Sequence, residues 1–323
     1  MIITVTLNAA IDKTLEVPNF KLGRRHRAVE QTSMAGGKGV NVARALKTLG
    51  QPVIATGVAG GPTGTRIIEQ LTEEAILNDF VRIREESRTS TAVVDPTDGV
   101  QTEINERGPE VSEAELELFV DKLLYLAKGA AVCVFSGSLP LGVPADLYAR
   151  LIRELRQRDV TTVIDSEGEA LRLATRAEPT VISPNELEAE ELVGHEFGDE
   201  EDRPAAVREM VELGAREAIL TLTTGCIGLV GDESDRKLYR VTIDPGVVDA
   251  RSGVGSGDAF LAGYVAWRYT GKPPEECLRF AVACGAESVQ HFGAGVLDPG
   301  AAERLMPQVE VEELTEPALQ SGR

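Results

Sequence analysis

Short aliphatic runs alternate with longer amphipathic helical patterns along most of this chain, and no other feature limits its fold as strongly. The runs are Ile2–Leu7, Val53–Val58, Ala131–Phe135, Thr161–Asp165, Thr180–Ile182 and Ala218–Leu222. Between them lie helical patterns at Gly39–Leu49, Thr65–Leu71, Glu113–Leu126, Pro144–Arg156 and Pro204–Leu213. The runs are apolar at successive positions, as strands covered on both faces are. The pattern is therefore βαβ, and it predicts an α/β fold with a mostly parallel sheet between helical layers. With 323 residues, 42% hydrophobic but only 4% aromatic, the chain has aliphatic material for one large core.

Two segments break the rhythm. Leu15–Phe20 with Ala28–Ser33 reads as a hairpin, and so does Ser90–Asp95 with Val100–Asn105, joined by the turn signal Asp95-Pro96-Thr97-Asp98-Gly99. They are patchily polar, and we expect them to form a small β-lid, from about 12–33 and 88–108, within one domain spanning 1–323. The acidic last fifteen residues read as a frayed end.

The net charge of −19 disfavours any partner with a phosphate backbone, since the mean field repels polyanions. Cys133, Cys226, Cys277 and Cys284 form no CxxC motif and read as reduced core residues. The opening MIITVTLNAA lacks a basic n-region and reads as a first strand. No apolar run approaches the roughly 20 residues of a membrane span. The expected setting is cytoplasmic.

The strongest local feature is Val254-Gly255-Ser256-Gly257-Asp258 ahead of the apolar helical stretch Ala259–Trp267. Small residues allow close backbone approach, and successive N–H groups point out of a helix start. Such a turn makes an anion hole for a phosphoryl group in transfer, and Asp258 can accept the proton of an attacking hydroxyl. The bland reading is an ordinary helix cap, but a cap needs no run of glycine and serine before it. Ala35-Gly36-Gly37-Lys38-Gly39-Val40-Asn41 is a second glycine turn. It is not a P-loop, because Gly39 stands where Ser or Thr is required. It suits a sugar and phosphate lying against backbone, or simply a turn with a solvated lysine. Arg24, Arg25 and Arg27 cluster in the first lid hairpin and Arg88 opens the second, a local basic set that could equally be a solvated face. Asn185 and Glu188, three apart at a helix start, can share the hydration shell of one Mg²⁺ or form a capping box.

These motifs, taken together, resemble the ribokinase-like (PfkB) carbohydrate kinases, in the branch of 1-phosphofructokinases and tagatose-6-phosphate kinases. The resemblance runs in order through TLNAAID at 6–12, AGGKGVNVARAL at 35–46, SRTSTAVV at 87–94 and TEINERGPEVS at 102–112. It continues with SGSLPLGVP at 136–144, IDSEGEAL at 164–171, SPNELE at 183–188 and GVGSGDAFLAG at 253–263. It implies a three-layer α/β/α core with a β-lid that often pairs into homodimers. By the same resemblance, Asp258 is the catalytic base and Gly255, Ser256 and Gly257 form the anion hole. Asn185 and Glu188 organise Mg²⁺. Asp12, Gly37 and Asn41 hold sugar hydroxyls, while Arg25, Arg27, Lys38, Arg88 and Ser138 hold the phosphate of the acceptor. Thr223, Gly225, Gly228 and Gly285 lie along ATP.

The implied reaction is phosphorylation of a ketohexose phosphate by ATP, foremost fructose 1-phosphate. Tagatose 6-phosphate and fructose 6-phosphate are the alternatives; a neutral sugar, a nucleoside, or sugar-phosphate sensing without catalysis stand behind them. From its reference value of about 3.9, Asp258 is expected to be ionised near neutrality. Three departures stand out: Ser183 where the family usually has Lys, Ser252-Gly253 where Asn-Pro often stands, and Glu287 in a stretch that is usually small and neutral.

Overall fold

The computed structural model describes residues 1–315. The chain opens with β1 (Ile2–Thr6), then passes to a second sheet as β2 (Ala10–Glu16) and β3 (Glu30–Gly36). Helix α1 (Lys38–Thr48) returns it to the first sheet as β4 (Val53–Gly60), followed by α2 (Gly61–Glu73) and β5 (Leu77–Ile83). The second sheet then gains β6 (Arg88–Asp95) and β7 (Val100–Asn105). Regular alternation follows: α3 (Glu113–Leu126), β8 (Val132–Ser136), α4 (Leu147–Arg156), β9 (Thr161–Asp165), α5 (Gly168–Thr175) and β10 (Val181–Ile182). Next come α6 (Glu186–Val193), α7 (Asp202–Glu212), β11 (Glu217–Leu222), β12 (Gly225–Val230) and β13 (Lys237–Ile243). The described chain ends with α8 (Ser256–Tyr269), α9 (Pro274–Ser288), α10 (Pro299–Leu305) and β14 (Val309–Glu313).

The large sheet has ten strands in the order β14-β13-β12-β11-β10-β9-β8-β1-β4-β5. From β11 to β5 neighbouring strands are parallel, and β12, β13 and β14 add an antiparallel edge. Successive side chains leave opposite faces of a strand, and the core divides accordingly. Ile2, Val132 and Val134 pack with buried residues of α1, α2, α8, α9 and α10. Ile3, Val5, Cys133 and Phe135 pack with α3 to α7. The result is a three-layer α/β/α core. All four cysteines are buried and unbridged.

The tail departs from expectation. Val309 and Val311 pair with Ile243 and Val241, so a strand occupies 309–313 where a frayed end was expected; residues 316–323 lie outside the described part. Val309 is also buried, and that apolar contact outweighs the local acidity.

The second sheet has the order β3-β2-β6-β7, with β2 antiparallel to β3, parallel to β6, and β6 antiparallel to β7. The first hairpin forms further out than the sequence indicates, pairing Ala10 with Gly36 and Glu16 with Glu30. Val17–Val29 becomes a connection, and Arg24, Arg25 and Arg27 stand exposed on it, not on a strand.

Helix α8 is fastened to the large sheet at the end remote from Asp258. Arg268 donates to both oxygens of buried Glu217 at 2.8 Å, and the Tyr264 hydroxyl donates to the same carboxylate at 2.8 Å. Breaking such a buried, hydrogen-bonded pair by removing one partner costs about 3–5 kcal/mol, so the helix that presents Asp258 is rigidly seated. Among the described residues, no helix is long and apolar enough to cross a membrane.

Candidate active site

In open α/β sheets, ligands bind beyond the carboxyl ends of the strands where the strand order reverses. Here β1 lies between β8 and β4, and a cleft of about 1150 Å³ opens above that point, between the large sheet and the lid. A single small-ligand site usually takes roughly 300–1000 Å³, so this cleft can hold two ligands end to end.

Helix α8 begins at one end of the cleft. Gly255 precedes it in a left-handed conformation, φ 76°, and a Cβ there would lie 2.8 Å from Ala294 Cα. Only glycine fits. The Ser256 N–H is already bound to Gly253 O at 3.2 Å, and its hydroxyl donates to the same oxygen at 3.0 Å. Ser256 therefore closes the turn instead of donating into the cleft. Among the described residues, the N–H groups of Gly255, Gly257 and Asp258 have no partner at this turn and helix start. A Cβ on Gly257 would meet nothing within 4 Å. The room beside those donors belongs to the cleft, and its chemistry suits an anion.

Asp258 is buried, and Asn41 Nδ2 donates to its Oδ2 at 2.9 Å. Burial, reinforced by the nearby Asp165 carboxylate, pushes its pKa up to about 8 against the opposing pull of Lys38. Against the expectation of a group ionised near neutrality, burial shifts Asp258 toward its neutral form in the free protein. Asn41 also donates to Asp12 Oδ2 at 3.3 Å, and the Gly37 N–H reaches the same oxygen at 3.2 Å. Burial raises the pKa of Asp12 too. Gly36 makes this possible, since a Cβ there would fall 2.0 Å from Asp12 Oδ2. Asp12, Gly37 and Asn41 thus stand together beside Asp258.

Lys38 is not at the lid. Its Nζ lies 2.8 Å from Asp165 Oδ1 and 3.3 Å from Glu188 Oε1. Burial works against its charge, but the two carboxylates overcome that and raise its pKa well above the usual lysine range. Glu188 and Asn185 form the capping box: Asn185 Oδ1 accepts from Glu188 N at 3.0 Å, and Glu188 Oε2 accepts from Asn185 N at 2.9 Å. The side-chain oxygen of Asn185 is therefore turned into its own helix, leaving Glu188 Oε1 and Asp165 as the oxygens facing the cleft beside Lys38. Among the described residues no group of three or more His, Cys, Asp or Glu could cage a metal. A hydrated Mg²⁺, which keeps several waters and takes one or two carboxylates, fits this donor set; a caged ion does not.

At the lid end Arg88 donates to Asn8 O and Glu106 O, both at 3.3 Å. Its pKa is lowered by burial, against the pull of Asp12, Glu167 and Glu106. Ser138 sits beside it through an Asn8 Nδ2 bond of 3.1 Å. Arg25 and Arg27 do not line the cleft. Nor does Gly228, which lies on β12 with its Cα side toward Leu278 of α9. Thr223, Gly225 and Gly285 do line it, at the α8 end.

Sequence reasoning missed three residues. Asp165 ends a predicted strand, and a carboxylate at the carboxyl end of a parallel strand is the signal that points to it. Arg44 is a cation inside the apolar helical pattern of α1. It donates to Asn41 Oδ1 at 3.1 Å and so fixes which way that amide faces. Arg107 lines the cleft near Arg88, and among the described residues its side chain has no ion pair or hydrogen bond.

Residues 5–299 match the pfkB family of carbohydrate kinases. The chain belongs to this family. It is therefore a phosphotransferase with a ribokinase-like fold. A tagatose-6-phosphate kinase of Staphylococcus epidermidis is 34% identical over 317 residues, covering 97% of this chain and all of the relative. A 1-phosphofructokinase of Borreliella burgdorferi is 31% identical, covering 97% and 99% of the two chains. Phosphofructokinase-2 of Escherichia coli, solved in complex with substrates and products, superposes with a TM-score of 0.86 at 27% identity, covering 95% of this chain and 98% of that one.

Proposed function

We propose that this kinase transfers the γ-phosphoryl group of ATP to a hydroxyl of a ketohexose phosphate, converting fructose 1-phosphate to fructose 1,6-bisphosphate. One observation carries the reading: in a chain of charge −19, a single cleft has a buried carboxylate at a glycine-rich helix start at one end and two arginines, Arg88 and Arg107, at the other. A neutral acceptor has no use for those arginines. Tagatose 6-phosphate is the second reading, favoured by the 34% relative.

In this mechanism the acceptor hydroxyl lies against Asp12, Asn41 and Asp258, and its phosphate against Arg88, Arg107 and Ser138. The N–H groups of Gly257 and Asp258 receive negative charge on the transferring group, and Lys38 neutralises the phosphates that pass it. Glu188 and Asp165 would hold Mg²⁺, which when bound would supply further neutralisation of phosphate charge. Asp258 takes the hydroxyl proton late in transfer. Its raised basicity makes it a better acceptor once it is ionised.

Arg25 and Arg27 stand on the exposed connection and do not line the cleft of their own chain. Leu22, Val29, Val100 and Ile104 are 90%, 66%, 55% and 62% exposed on the same lid. A homodimer paired through the lids covers that apolar surface and directs the two arginines toward the partner.

The test is ADP release with Mg²⁺-ATP across fructose 1-phosphate, tagatose 6-phosphate, fructose 6-phosphate, fructose, ribose and adenosine. A large kcat/KM for fructose 1-phosphate is expected. Preference for a neutral acceptor removes Arg88 and Arg107 from substrate recognition, and turnover with none of these acceptors overturns the reading.

A further inference from the structure

Helix α9 carries a carboxylate that the mechanism leaves unused. Glu287 is only 2% exposed, on the helix whose Gly285 and Ala286 line the cleft. Its Oε1 is 2.6 Å from His291 Nε2, and its Oε2 accepts from the Asp298 N–H at 2.9 Å. A carboxylate only accepts, so the His291 ring donates through Nε2. Placing such a group in an apolar layer is costly unless both oxygens are satisfied, and here both are. The two contacts tie together the beginning and the end of the loop 291–298.

That loop lies behind the transfer end of the cleft. Ala294 Cα and Gly295 N are the atoms that a Cβ on Gly255 would meet, each at 2.8 Å. A Cβ on Gly295 would in turn lie 2.6 Å from Asn41 O. Arg44 Nη1 bridges the same parts, donating to Ala294 O at 3.2 Å and to Asn41 Oδ1 at 3.1 Å. The loop therefore touches the glycine turn ahead of α8 and the residue that holds Asp258. With this little clearance, a displaced loop shifts one or both.

We propose that Glu287 is a positioning residue for phosphoryl transfer: through His291 and Asp298 it fixes the loop 291–298, which holds Gly255 and Asn41 in register with Asp258. This rests on the reading of the α8 start as the transfer point.

The experiment compares Glu287→Ala, Glu287→Gln and His291→Ala with Asp258→Asn in the full chain, measuring kcat, both KM values and thermal melting with Mg²⁺-ATP and the best acceptor. Glu287→Ala should lower kcat roughly 5- to 50-fold, with both KM values within about twofold of wild type. Glu287→Gln keeps an oxygen for Asp298 and a polar partner for His291, and should recover most of that loss. His291→Ala changes a partly exposed side chain, so it tests the tether even where Glu287→Ala does not fold; a smaller loss of kcat is expected. Wild-type kcat in His291→Ala and in folded Glu287→Ala overturns the proposal, as does a lower melting temperature with kcat unchanged. Wild-type turnover in Asp258→Asn sinks the transfer-point reading itself, and this proposal with it. Loss in Asp258→Asn without loss in the other variants sinks this proposal alone.

Discussion

At the α8 end of the cleft, polar side chains are held by other side chains of the same molecule. Asn41 joins Asp12 to Asp258, Arg44 orients Asn41, and Lys38 sits between Asp165 and Glu188. At the lid end, the Arg88 guanidinium meets two backbone carbonyls at 3.3 Å, and Arg107 is exposed. The buried end is organised before substrate arrives, as charge stabilisation in a transition state demands. The lid end keeps its cations available, as recognition of a charged group that must also leave demands. On the proposed function, chemistry and specificity are thus separated in space, and variants at the two ends should fail in different ways.

The largest effect should come from the buried end. Asp258→Asn removes the proton acceptor while keeping size and the contact with Asn41, so kcat should fall roughly 10²- to 10⁴-fold with the acceptor KM little changed. Steady-state ADP release and circular dichroism together check this. A rise in KM with intact kcat would abolish the contrast between the ends.

Next in size is the lid end. Arg88→Ala should raise the acceptor KM about 10- to 100-fold and change kcat much less, because a charge-assisted bond to phosphate is lost. Arg107→Ala should do the same more weakly, from its exposed position. Titrating acceptor at saturating ATP distinguishes the two outcomes. An unchanged KM in both variants removes the arginines from the phosphate site.

The contrast also has a pH signature. Asp258 has a pKa of about 8 in the free protein, so kcat/KM should climb nearly tenfold per pH unit below neutrality and level off above pH 8. Stability runs the other way. A carboxyl with a raised folded-state pKa contributes stability that is intact below its unfolded value of 3.8 and lost as pH rises to about 8. Asp258→Asn carries no such loss, so its melting temperature should match wild type near pH 4 and exceed it at pH 8. Equal melting at both pH values would mean that burial does not load this carboxyl.

The two ends also differ in how much of them could be read from the sequence. The parallel layers followed from aliphatic runs that need no alternation because helices cover both faces. The antiparallel edge of β12, β13 and β14 did not: β12 and β13 follow β11 through short hairpin turns without an Asn-Gly or Asp-Gly signal, and acidic β14 joins β13 through a long-range pairing held by Val309 and Val311. At the buried end, glycines and carboxylates in short motifs marked Asp258, Gly37 and Asn41. What those motifs could not give was burial, which pushes Asp258 toward its neutral form, or the path of Lys38 toward Asp165 and Glu188 across more than a hundred residues. At the lid end, the arginines of one hairpin looked like one cluster with Arg88. They part because Val17–Val29 leaves the sheet while Arg88 stays at the start of β6.

That separation gives the smallest effect, and it decides whether the lid end is complete in one chain. Arg25→Ala with Arg27→Ala should raise the acceptor KM about two- to tenfold if a lid-paired second copy brings these cations to the cleft, because each adds one more partly solvated charge near the phosphate. The shift should be larger at low salt than at high salt, since exposed charges are screened over about 10 Å at 0.1 M ionic strength. Dilution through the dimer dissociation range, followed by sedimentation, should weaken acceptor binding in wild type and leave the double variant unaffected. Identical KM values at every concentration and salt would leave Arg25 and Arg27 as solvated surface charges. Arg88 and Arg107 would then carry the recognition alone.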